Sequence, residues 1–93
     1  MRLSDAERQA ILGAVAERDA LADVYLFGSR VDDDAKGGDI DLLVLSGQID
    51  FKAKLDILVD LTRQLGEQRI DLVIASDLSR PFTRIAIAEG VRL

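Results

Sequence analysis

Ile11, Leu12, Val15 and Ala16 recur at the spacing of one helical face. The preceding Ser4-Asp5-Ala6-Glu7 has the form of a capping box, in which hydroxyl and carboxylate satisfy backbone N–H groups that the first turn leaves unpaired. A first helix therefore opens at Ser4. The period changes at Val24-Tyr25-Leu26-Phe27, a β-branched and aromatic run stopped by Gly28, which predicts a strand with Tyr25 in the core. Residues 28–38 hold three Gly and three consecutive Asp (Asp32, Asp33, Asp34), a composition suited to a loop. Asp39 to Leu45 reads as a second strand. Asp50 then caps a second helix, on which Phe51, Leu55, Leu58, Thr62 and Leu65 follow a period near 3.6 until Gly66 stops it.

Arg69 to Ile74 reads as a third strand, and a strand, helix, strand unit of this length makes the second and third strands parallel neighbours with a right-handed crossover. Ser79-Arg80-Pro81 opens a last helix that runs to about Glu89, with Pro tolerated in the first turn. Its Phe82, Ile85 and Ala86 lie on one side and Ile87 nearly opposite, so the helix is either well buried or covered by a partner. Gly90 ends it before a short tail, Val91-Arg92-Leu93. The expectation is an α/β (α+β) fold: a small mixed sheet of about three strands, with elements in the order αβ, βαβ, α.

With 93 residues, 48% of them hydrophobic and 31% charged, the chain has the size of one domain spanning 1–93 and enough apolar content to bury a core. A net charge of −5 argues against broad binding of DNA or RNA, whose affinity rests on cations that displace counterions from phosphates. The absence of both His and Cys excludes thiol nucleophiles, disulfides, Ser-His triads and the usual zinc sites, leaving carboxylate chemistry and hard cations. No apolar run approaches the roughly 18 residues of a membrane span. The charged opening Met1-Arg2-Leu3-Ser4-Asp5 is unlike a signal peptide, and the expected location is cytoplasmic.

Side chains alternate along a strand, so Asp39 and Asp41 project from one face, with Cα atoms roughly 6.6 Å apart. Asp71 on the neighbouring parallel strand can join that face. An unpaired charge within an apolar strand is costly if buried, which favours a ligand role for Asp71 over that of an exposed edge residue. Three carboxylates around one volume repel one another unless cations are present, and a pair of divalent ions resolves the conflict. Upstream, Gly28-Ser29 directly follows a strand, where a residue without Cβ lets backbone N–H groups approach a phosphate and the Ser hydroxyl adds a donor. The adjacent acids Asp32 to Asp34 read as solvated loop, and Lys36 as a surface lysine.

Gly28-Ser29, nine intervening residues, Asp39-Ile40-Asp41 and a later Asp71 resemble the DNA polymerase β-type nucleotidyltransferase superfamily. The segments YLFGSR, DIDLLV, RIDLVI and IAEGVRL resemble, more narrowly, the minimal nucleotidyltransferases paired with HEPN-domain toxins, over nearly the whole chain. The family's usual pattern has one more residue between Ser and the first Asp, so this loop is tighter than typical.

The resemblance implies that Asp39, Asp41 and Asp71 are catalytic and hold two Mg²⁺ ions, or Mn²⁺ in their place. Asp71 would complete the site of the ion that activates the attacking hydroxyl and would take its proton. Gly28, Ser29 and Arg30 would bind the triphosphate of ATP or another NTP. The implied activity is transfer of AMP to a tyrosine of a HEPN toxin, by an antitoxin that silences it. The competing reading is a non-catalytic antitoxin or nucleotide-binding module that inhibits its partner by occlusion. A small-molecule transferase of the antibiotic-modifying kind needs a second domain, which only a dimer would supply.

Overall fold

A computed structural model describes residues 3–31, 39–66 and 68–93. The acid run and Lys36 of the 32–38 loop lie outside them. Helix α1 (Asp5–Ala16) begins with the capping box foreseen at Ser4, Glu7 N–H donating to the Ser4 hydroxyl and Ser4 N–H to the Glu7 carboxylate. Strand β1 (Asp23–Phe27) runs into a single 3₁₀ turn (Gly28–Val31), and β2 (Ile40–Leu45) follows. Helix α2 (Phe51–Leu65) is capped by Asp50, which accepts from Ala53 N–H, and ends at Gly66 with a left-handed φ of 78°. Strand β3 (Ile70–Ala75), helix α3 (Pro81–Glu89) and a two-residue strand β4 (Val91–Arg92) complete the chain.

The sheet order is β3-β2-β1-β4, with β2 and β3 parallel and the other two pairings antiparallel. The fold is thus a small mixed α/β sheet, as the periodicities imply, with a fourth strand where a tail was expected. Val91 and Arg92 pair with Leu26 and Tyr25. Two residues carry no periodicity of their own, so only this distant pairing makes them a strand.

Alternation along the strands splits the core in two. Ile40, Leu42 and Val44 of β2, Leu72 of β3, and Val24 and Leu26 of β1 face α1 and α2, against Ile11, Val15, Ile57 and Leu61. An Arg18–Asp60 ion pair at 2.7 Å joins the turn after α1 to α2. The opposite face buries Leu43 and Ala75 under Ala86 of α3, with Tyr25, Phe27, Val73 and Ile87 packed around them. The α2 stripe predicted from Phe51 and Leu55 turns outward: Phe51 is 70% and Leu55 44% exposed, whereas Ile57 and Leu61 are sealed. Apolar residues on both sides of α2 make period alone unable to choose the inner one. On α3, Ala86 is buried, Ile87 half-buried, and Phe82 and Ile85 exposed. No helix among the described residues is long and apolar enough to cross a membrane.

Candidate active site

Asp41 and Asp71 are direct cross-strand partners in the β2–β3 register, so two acidic side chains leave the same sheet face side by side. Asp39 lies immediately before β2. Ile40 N–H donates to the Arg69 carbonyl at 3.0 Å, which fixes the starts of the two strands together. The carboxylates of Asp39 and Asp71 both approach Arg69, its Nε lying 3.4 Å from Asp39 Oδ2 and 3.9 Å from Asp71 Oδ1. Asp41 and Asp71 thus share one face, and Asp39, just before β2, is linked to Asp71 through Arg69. Asp71, however, sits on an edge strand, with its side chain half-exposed rather than buried.

Burial, then the charge of Asp71 and a hydrogen bond with it, then the charge of Asp39, push the Asp41 carboxyl above its ordinary value; Arg69 offsets this only in part. Such a site has negative charge in excess and stabilises any cation that enters it. Among the described residues no group of three acidic side chains has metal-holding geometry. The donor set still fits a hard divalent ion, being carboxylate oxygen alone on adjacent strands, with Arg69 as the nearby positive charge.

Gly28 closes the site from the other side. Phe27 is the β1 partner of Asp41, and the next residue, Gly28, has φ 77°, a left-handed conformation that favours glycine. A Cβ at this position would run into the Asp41 carboxylate. The glycine is thus required twice, by its backbone and by the carboxylate against it. The Ser29 backbone belongs to the 3₁₀ turn beside the carboxylates, and its side chain lies outside what the structure describes. Arg30 rests against α1, its guanidinium 3.8 Å from the Glu7 carboxylate, so of the expected phosphate-binding residues Gly28 borders Asp41 and the Arg30 side chain is directed to α1.

Two neighbours of the site were not singled out in the sequence. Arg69 precedes Asp71 by two positions and therefore shares its face, a signal that period-2 counting contains. Phe27, whose ring packs edge-on against Phe82 with centroids 5.5 Å apart, becomes a neighbour of Asp41 only through strand pairing. No curated protein matches the chain. The profile of the family described as Polymerase beta, Nucleotidyltransferase matches residues 9–93, which include Gly28, Ser29 and all three acidic residues, and the chain belongs to that family.

Proposed function

We propose that this protein transfers a nucleoside monophosphate, AMP from ATP, to a hydroxyl of a partner protein, a tyrosine of a HEPN-family toxin, and thereby acts as its antitoxin. The observation that carries the catalytic part is the pairing of Asp41 with Asp71 beneath a glycine that admits no side chain. Family membership supports nucleotidyl transfer in general. The exposed Phe51, Leu55 and Val59 on α2 offer apolar surface to a partner and support an acceptor carried on another protein.

In the step itself the acceptor oxygen bonds to the α-phosphorus and the bond from that phosphorus to the bridging oxygen breaks. Pyrophosphate leaves, and the hydroxyl proton passes to Asp71 and on to solvent. Asp39, Asp41 and Asp71 would hold the divalent ions, Mg²⁺ or Mn²⁺, which when bound neutralise charge on the attacked and leaving groups. Gly28 leaves backbone room for the triphosphate and Ser29 would add a donor from the same turn, whereas the Arg30 guanidinium is turned to Glu7 of α1.

Incubation with α-labelled ATP, Mg²⁺ and the partner is expected to label the partner. Asp41→Asn should lower the rate by at least about 100-fold. A wild-type chain that leaves the partner unlabelled, together with an Asp41→Asn variant that still neutralises the toxin, would replace transfer by occlusion.

A further inference from the structure

Helix α3 is short, opening at Pro81 and closing at Gly90, and it lies over β1 and β2 on the face that bears the carboxylates. On the same face of β3 the exposure falls along the strand, from exposed Asp71 through half-buried Val73 to Ala75, which is buried under α3. Alternation puts Val73 and Ala75 on that face, about 7 and about 13 Å along the strand from Asp71. A trough of about 390 Å³ follows them, walled by Asp77, Ser79, Arg80 and Phe82, and within the size range of small-molecule sites.

The wall is built in advance of any ligand. Arg84 donates to the carbonyls of Leu78 and Ser79 at 2.6 and 3.0 Å, and Ser79 N–H donates to Asp77 Oδ1 at 2.9 Å, so the 77–80 segment is tied to α3 and to itself. Phe82 remains 46% exposed although its ring packs edge-on against Phe27. Since Phe27 is the cross-strand partner of Asp41, the carboxylates and the aromatic wall adjoin.

We propose that this trough seats the base and ribose of the nucleotide whose phosphates lie at Gly28 and the carboxylates. The inference rests on the nucleotidyl-transfer reading above and adds the part of the substrate that reading leaves unplaced. An exposed aromatic ring beside Val73 gives a planar base a stacking wall, which is tolerant of base identity. Asp77, Ser79 and Arg80 supply both acceptors and donors for the edge of the ring. The spacing of about 7 Å from Asp71 to Val73 is comparable to the span from an α-phosphate through ribose to base. An acceptor side chain still attached to a folded partner needs open approach, which a walled trough does not offer.

The test uses the full chain with Mg²⁺ and two ligands in calorimetric titration: ATP, and inorganic tripolyphosphate, which has the phosphates without the base. Wild type is expected to bind ATP more tightly. Phe82→Ala should weaken ATP about tenfold and leave tripolyphosphate within about twofold. Ser79→Trp, which projects from an exposed position on the trough wall and spares the Phe27 contact, should do the same, with unchanged circular dichroism confirming the fold. Equal losses for both ligands, or ATP affinity untouched by either variant, would overturn the assignment. So would a raised KM for the acceptor at unchanged ATP affinity, which would give the trough to the acceptor. A wild-type chain that binds neither ligand overturns nucleotidyl transfer itself, whereas one that binds both, with no effect of either variant, overturns only the trough.

Discussion

A methyl group added at position 28 meets two obstacles, the left-handed φ of 77° and the Asp41 carboxylate lying where the new Cβ would be. Gly28→Ala should therefore cost about 1–2 kcal/mol of stability in urea denaturation, and should weaken ATP binding in the same protein because the carboxylate is displaced. The capping glutamate offers a residue-scale test of a different kind. Burial alone would raise the Glu7 carboxyl, but hydrogen bonds from the Ser4 backbone and side chain, the charge of Arg30 and a hydrogen bond with Gln68 together outweigh it and hold Glu7 below its usual 4.5. A carboxyl depressed in the folded chain contributes stability that is full above the ordinary value and lost as pH falls through the depressed one. Wild type should exceed Glu7→Gln by roughly 0.5–1 kcal/mol at neutral pH, since Gln keeps the cap without the charge. Denaturation midpoints should show this gap closing below pH 4.5.

At the scale of elements, α2 separates packing from exposure within one helix. Leu61→Ala removes a sealed core side chain and is expected to cost about 2–5 kcal/mol. Val59, two positions earlier, is 49% exposed, and Val59→Glu should change stability by no more than about 0.5 kcal/mol while lowering binding to an apolar partner. Chemical denaturation of both variants, with partner capture measured for Val59→Glu, checks the pair. The contrast also shows where sequence reading stops. Helix α2 was legible from its cap, its period and Gly66, but which side faces inward was not, because Phe51, Leu55 and Leu58 match an apolar face as well as Ile57 and Leu61 do. The opening of α1 was legible in full because a capping box is local, whereas β4 exists only through residues more than sixty positions away.

For the molecule as a whole, the acidic pair was foreseeable because strand alternation and a β2-α2-β3 crossover suffice to place Asp41 and Asp71 on one face. The register that sets Asp41 directly beside Asp71, the reach of Arg69 to both flanking acids, and the fit of Gly28 against Asp41 are products of tertiary assembly and have no local sequence signal. That register also bears on motion. Strand β3 is outermost and hydrogen-bonds to the sheet on one side only, while β2 lies inside it, so the Asp41–Asp71 pair straddles the boundary between the sheet's interior and its free margin. Whatever grips both carboxylates fastens that margin and suppresses its fraying. Site occupancy should consequently be readable as slowed amide hydrogen exchange over Ile70–Ala75 on adding Mg²⁺ and ATP, with Val91 and Arg92 at the opposite margin keeping their rates. Equal slowing at both margins would mean that the ligand tightens the fold generally and does not act as a clasp between two strands.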